Sequence, residues 1–195
     1  WIRTCALPIL TECGATPDDA SDDSAALQAC IDRARGERRV LYLPRGVFHS
    51  YSRALSVAGV TIRGAGIWHT TVHGYYATFD CWGGNCLYSD FTVSGDTVRR
   101  IDDEPGTAFG GNGSSRNVIE NVWIEHTKTG VWPGPETREL VVRNVRFRNL
   151  FADGVNLYGG TSDSLVENCH ARNTGDDAFA AWSHERHPPN RNNTF

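Results

Sequence analysis

Residues 151–183 read FADGVNLYGGTSDSLVENCHARNTGDDAFAAWS, and two features of this stretch decide the fold. The first is a pattern. Its segment Val166-Glu-Asn-Cys-His-Ala-Arg-Asn173 runs apolar, charged, Asn, apolar, any, apolar, as do Val142-Arg-Asn-Val-Arg-Phe-Arg-Asn149 and Ile119-Glu-Asn-Val-Trp-Ile-Glu-His126. The central asparagines Asn121, Asn144 and Asn168 are 23 and 24 residues apart. A fixed period of that size marks a solenoid whose stacked units share one core. The second feature is acidic: Asp153 stands alone, and one repeat later come Asp176 and Asp177. Gly130, Asp153 and Asp177 each lie nine residues after one of the asparagines, so the period predicts all three in one column.

Toward the N-terminus the pattern continues as Gly59-Val-Thr-Ile62 and Asp90-Phe-Thr-Val93, at steps of 31 residues. The excess is expected in loops, which a solenoid extrudes from one face without disturbing its stacking. Between these markers lie short alternating runs such as Val118 to Ile124 and Leu140 to Phe147, separated by glycine, proline and asparagine. No long helical period divides them, which excludes an alternating strand and helix fold. A coil of about 23 residues with two or three short strands is a right-handed parallel β-helix, an all-β fold. In it, equivalent residues of neighbouring coils stand about 4.8 Å apart. One helix is predicted outside the solenoid. Asp22, Asp23 or Ser24 caps its start, Leu27, Cys30, Ile31 and Ala34 share a face, and Gly36 ends it. Such a helix suits the exposed end of the first coil.

A net charge of -4, with 22% charged residues, leaves no basic patch or tail for nucleic acid. No apolar run approaches the roughly 18 residues of a membrane span, and nothing resembles a signal peptide. Trp1 to Leu10 do not share the pattern of the rest of the chain and read as a lead foreign to the domain. Residues 11–195 then form a single solenoid, with further coils expected past Phe195. The cysteines are Cys5, Cys13, Cys30, Cys81, Cys86 and Cys169, without zinc spacing. Cys81 and Cys86 are placed to close a small loop disulfide, and Cys169 takes the apolar place of Val122 and Val145. This usage permits an exported, extracellular protein. No motif asks for a metal or cofactor, and a monomer is expected.

Three carboxylates on one patch cannot all ionise freely. One kept protonated can act as general acid while another activates water, the division of labour in glycoside hydrolysis. Adjacent Asp176 and Asp177 both reach the surface only if one leaves the regular strand, which Gly175 allows. Trp123, Trp132, Tyr158, Phe179 and Trp182 offer planes for the apolar faces of sugar rings. A uronic acid polymer would call for several Arg and Lys beside the acids, and Lys128 alone does not supply them, so a neutral glycan is favoured. The structural alternative is that the aspartates only close Asx turns at coil corners or ligate a structural ion. The Asn121, Asn144 and Asn168 ladder reads as structural, stacked asparagines bonding to one another and to the backbone. Asp102, Asp103 and Glu104 read as a solvated acidic loop, with calcium binding as the alternative.

Three stretches carry a family resemblance: Val122-Trp-Ile-Glu-His-Thr-Lys128, Ala152-Asp-Gly-Val-Asn156 with Gly159 and Gly160, and Arg172-Asn-Thr-Gly-Asp-Asp177 with Trp182 and Ser183. They resemble glycoside hydrolase family 87, the bacterial alpha-1,3-glucanases or mutanases and the mycodextranases. The resemblance is specific over Asn117 to Ser183. Before that the chain is similar to pectate-lyase-like proteins in general. The family likeness implies an inverting endo-hydrolase of alpha-1,3-glucosidic bonds in an alpha-glucan such as mutan or nigeran. By it Asp176 is the general acid, and Asp153 and Asp177 hold the attacking water across roughly 6.5 to 9.5 Å. His126, Lys128, Asn156 and Trp182 are the expected glucan-binding residues. Family catalytic domains are much longer, and Ala178 and Phe179 are bulkier than the small residues expected after the acidic pair. Two other readings compete. One is a polygalacturonase-like pectin hydrolase, against which the absence of Gly-His-Gly and Arg-Ile-Lys stretches counts. The other is a non-catalytic glycan-binding β-helix.

Overall fold

The computed structural model describes residues 10–195. Trp1 to Ile9, with Cys5, lie outside the described residues. Leu10, the last residue of the expected lead, is fully buried in a short 3-10 turn, Leu10–Cys13, and belongs to the core.

The chain winds as a right-handed parallel β-helix of about six coils. One sheet has six strands, one from each coil: Leu55–Val57, Phe79–Cys81, Thr107–Gly111, Thr129–Pro133, Val155–Tyr158 and Phe179–Trp182. A ten-stranded sheet takes up the remaining strands. Because strand side chains alternate, a register fixed along the axis turns one inward position per strand into a column. In the six-stranded sheet that column is Leu55, Phe79, Phe109, Val131, Val155 and Phe179. In the ten-stranded sheet one column is Leu41, Ile62, Tyr88, Ile119, Val142 and Val166, buried throughout. Another is Phe48, Val72, Val93, Ile124, Phe147 and Ala171. Each buried side chain of this kind stabilises by roughly 1.5 to 3 kcal/mol, so the columns carry the fold. The six-stranded column ends at Phe179, 36% exposed on the last coil.

The asparagine ladder is a ladder in fact. Asn168 donates to Asn144 at 2.6 Å, Asn144 to Asn121 at 3.2 Å, and Asn121 to Asp90 at 3.3 Å. All four have left-handed backbone, φ 49° to 65°, a conformation Asn and Asp tolerate better than most residues. A second ladder, His126, Asn149 and Asn173, turns the next corner. The more distant match does not hold. Ile62 pairs with Tyr88, ahead of Asp90, so Gly59 to Ile62 stack on the first half of the next long strand and not on Asp90 to Val93. An apolar alternation alone cannot distinguish two positions along one sheet.

The helix runs Ser24–Glu37 and ends at Arg38, φ 53°, instead of at Gly36. The carboxylate of Asp22 accepts from the N–H and hydroxyl of Ser24 at its start. Leu27, Cys30, Ile31 and Ala34 are buried as the spacing predicts. Gln28 does more: its amide donates to the Ser56 carbonyl at 3.0 Å and accepts the Ser56 N–H at 2.8 Å. It completes the outer edge of the first strand of the six-stranded sheet as a further strand would, and so blunts that edge. A disulfide joins Cys13 to Cys30. Cys81 and Cys86, the pair favoured by sequence spacing, are free buried thiols with Sγ atoms 3.0 Å apart. Cys169 packs half-buried against the core. No helix among the described residues is long and apolar enough to cross a membrane.

Candidate active site

Asp153 and Asp177 each precede a strand of the six-stranded sheet, and the pairing of Val155 with Phe179 stacks one acid on the other. The Asp177 N–H donates to Asp153 Oδ1 at 3.0 Å, and Asn156 Nδ2 donates to Asp153 Oδ2 at 2.8 Å. Asp153 is 9% exposed, so both contacts replace water that burial has removed. One coil down, the same place is held by Thr129 and not by Gly130. Phe147 pairs with Ile124 at an offset of 23 residues, but Val155 pairs with Val131 at 24, so this corner holds one extra residue.

Asp176 occupies a bend just before the last strand, which is how two adjacent acids both face outward. Gly175 makes the bend possible, since a Cβ there would lie 2.4 Å from the Phe151 carbonyl oxygen. Backbone bonds place Lys128, Ala152 and Asp176 in one column beside that of Thr129, Asp153 and Asp177. The nearest carboxylate oxygens of Asp153, Asp176 and Asp177 lie within 4.8 Å of one another. Among the described residues this is the one acidic or His/Cys group tight enough to share a cation. Both oxygens of Asp153 are engaged, by the Asp177 amide and Asn156, and Oδ2 of Asp176 is engaged by a guanidinium.

That guanidinium is Arg100. Its Nη1 donates to Asp176 Oδ2 at 2.6 Å and its Nε to Asp102 Oδ1 at 2.7 Å. Hydrogen bonds to Asp102 and Asp176 hold it above the usual arginine value, and Arg100 in turn holds Asp102 below the usual carboxylate value. The sequence left the acids without a nearby cation apart from Lys128. The structure supplies one, already committed to two carboxylates.

The trio lines a cleft of about 390 Å³ that also takes in Thr129, Asn156, Trp132 and Trp182. Trp132 and Trp182 are 40% and 50% exposed, and Tyr158 stacks on Trp182 at 5.1 Å. Past Trp132 and Tyr158 a shallower hollow continues along the sheet to Asp80, whose carboxyl is raised by burial. Next to Asp153, Asn156 Oδ1 is buried without a hydrogen-bond partner among the described residues.

Of the other expected binding residues, Asn156 and Trp182 reach the cleft and His126 does not. Its ring lies 3.1 Å from Asn149 Nδ2 in the corner ladder. Lys128 borders the cleft, but its side chain is buried, and Nζ donates to the carbonyls of Ile101, Asp102 and Glu104. Burial lowers its ammonium from the usual lysine value. Trp123 stands on the ten-stranded sheet, between Trp68 and Arg148. Phe179 closes the core column. Arg100, Asp102 and Thr129 were missed. The signal for the first two was Arg99-Arg100-Ile-Asp102, mixed charge inside the repeat that stretches to 31 residues.

A family model described as alpha-1,3-glucanase catalytic domain D2 matches residues 20–189. Among solved structures the chain is similar to the Agl-KA catalytic domain, at 31% identity and a TM-score of 0.87, covering 100% of this chain and 38% of that one. It is similar to the catalytic unit of a thermostable GH87 alpha-1,3-glucanase from Streptomyces thermodiastaticus strain HF3-3, at 33% identity and a TM-score of 0.86, covering 93% and 33%. A GH87 alpha-1,3-glucanase catalytic domain in complex with nigerose matches at 26% identity and a TM-score of 0.78, covering 92% and 35%. The chain thus spans little more than a third of the length of the structures it matches. No curated protein sequence matches it. Further GH87 alpha-1,3-glucanase structures hold nigerose or tetrasaccharides after one aspartate was replaced by alanine. Three positions were so replaced, two adjacent and one 23 residues ahead of that pair. Asp153, Asp176 and Asp177 have the same spacing.

Proposed function

Because the chain belongs to the family of alpha-1,3-glucanase catalytic domains, we propose that it is part of a glycoside hydrolase that cleaves alpha-1,3-glucosidic bonds in an alpha-glucan, with Asp153, Asp176 and Asp177 doing the chemistry. The observation that carries this reading is the meeting of three carboxylates from two coils, nearest oxygens within 4.8 Å, in a cleft bounded by two half-exposed tryptophans. An acetal needs a proton on its leaving oxygen and a water at its carbon, hence at least two carboxyls in different roles. Asp176 is the acid: half-exposed and held by Arg100 through Oδ2 alone, it has its other oxygen for a sugar oxygen. Asp153 is fixed by Asn156 and the Asp177 amide, which suits a group that orients water, with Asp177 beside it.

Direct displacement with inversion needs the acid and base carboxyls roughly 6.5 to 9.5 Å apart. The sugar must therefore part Asp176 from the other two, whose nearest oxygens are closer than that. Trp132, Trp182 and Tyr158 supply the stacking faces, and Asn156 Oδ1 the acceptor for a sugar hydroxyl. A polyuronate is disfavoured because Arg100 is already shared by two carboxylates. The Cys13–Cys30 disulfide supports export to an oxidising, extracellular setting.

The test is to incubate the protein with alpha-1,3-glucan and with polygalacturonate, following reducing ends and the anomer first formed by proton NMR. Cleavage of alpha-1,3-glucan alone, with the β-anomer appearing first, is expected. An α-anomer rejects inversion, cleavage of polygalacturonate rejects the substrate, and binding without cleavage leaves a glycan-binding β-helix.

A further inference from the structure

The loop of residues 95–106 leaves the long strand Leu87–Ser94 and returns to Thr107–Gly111 without regular structure of its own. Its shape is nevertheless fixed from beneath. Lys128, 4% exposed, uses its ammonium on three loop carbonyls: Ile101 at 3.1 Å, Asp102 at 2.8 Å, and Glu104. A buried ammonium has three donors to satisfy, and here all three go to the loop. The Lys128 N–H also bonds the Gly106 carbonyl at 2.7 Å, and Tyr75 holds the Glu104 carboxylate at 3.0 Å.

From this clamped loop Arg100 reaches back over the cleft to Asp176. The two side chains are 43% and 49% exposed, and an isolated ion pair so open to water contributes little to stability. What orders it is the clamp. Lys128 lies in the same column as Asp176, with Ala152 between them, so one line of the solenoid carries both the acid and the lysine that delivers its arginine.

We propose that Arg100 is a positioning residue for Asp176, and that Lys128 acts one step removed by clamping the loop that presents it. This rests on the reading of Asp176 as part of the hydrolytic trio. The charged groups facing Asp176 are Arg100, Asp153 and Asp177, with Asp102 behind the guanidinium and Lys128 below.

Two measurements test this. The first is hydrolysis of an alpha-1,3-linked oligosaccharide by wild type, Arg100→Ala and Arg100→Lys, with kcat and KM determined separately. For Arg100→Ala, kcat should fall about tenfold or more while KM stays within about threefold, with partial recovery in Arg100→Lys. An active wild type whose kcat is unmoved by Arg100→Ala overturns the proposal, as does a loss that Arg100→Lys does not recover in part. The second is amide hydrogen exchange of wild type and Lys128→Met. Exchange over residues 99–104 should quicken about tenfold or more relative to Val118–Glu125. Unchanged exchange overturns the clamp whether or not glucan is cut, whereas a wild type that cuts no glucan counts against the trio itself.

Discussion

The backbone N–H of Asp177 donates to Oδ1 of Asp153 at 3.0 Å, tying two acids from adjacent coils together through main chain. Asp153 is therefore aimed by its own neighbours in the stack. Its other oxygen depends on a single side chain, Asn156.

Replacing that side chain isolates its role. Asn156→Ala leaves Asp153 Oδ2 buried without its 2.8 Å donor. Hydrolysis of alpha-1,3-glucan should fall about tenfold to a hundredfold through loss of alignment. The melting temperature, taken alongside, should drop only by the few degrees that about 1 to 3 kcal/mol represents.

Substrate affinity should depend on the tryptophans more than on the acids. Trp182→Ala removes a half-exposed plane stacked on Tyr158, and the expected loss is about 1 kcal/mol, roughly fivefold in Kd. Calorimetry with a nigero-oligosaccharide measures it. His126→Ala, changed in the corner ladder and outside the cleft, should leave Kd within about twofold.

Two glycines should respond with opposite signs. A Cβ at Gly154 would lie 2.3 Å from the Ala178 carbonyl, so Gly154→Ala should destabilise by about 1 to 3 kcal/mol or more. Gly36, in the capping helix, has nothing within 4 Å of a Cβ, and Gly36→Ala should stabilise by about 0.5 to 1 kcal/mol. Urea unfolding of both variants gives the comparison.

Much of this was legible from period alone. The asparagine spacing registers the last three coils because each Asn turns a corner in left-handed backbone and bonds the next, leaving little freedom to slip. The same counting misplaced Gly130, since a corner can take one extra residue without changing the strands it joins. Arg100 could not be located from the sequence: its partner Asp176 is 76 residues away, and the contact depends on a loop shaped by Lys128. The disulfide was misjudged for a related reason. Cys81 and Cys86 are close in sequence, but it is the Leu10–Cys13 turn packing on the helix that brings Cys13 to Cys30.

Acid should loosen the N-terminal cap. Burial works against an ionised Asp22, but the hydroxyls of Ser24 and Ser52 and the N–H groups of Tyr51 and Ser24 outweigh it and hold this carboxyl well below the usual range. A carboxyl depressed in the folded state contributes stability above its unfolded value, about 3.9, and loses it as pH falls toward the folded value. Between about pH 4 and pH 2 wild type should lose more melting temperature than Asp22→Asn. The gap at neutral pH should be modest, about 1 kcal/mol at most for so open a group.

The central claim is that Asp153, Asp176 and Asp177 act together on the glycosidic bond. Its most direct test is the rate of alpha-1,3-glucan hydrolysis by the three single Asp→Asn variants, with circular dichroism and melting temperature confirming an intact solenoid. Each should fall about a hundredfold or more, since asparagine keeps the shape of the side chain and removes its acid and base chemistry. A variant that folds like wild type and keeps its rate within about threefold would contradict the account.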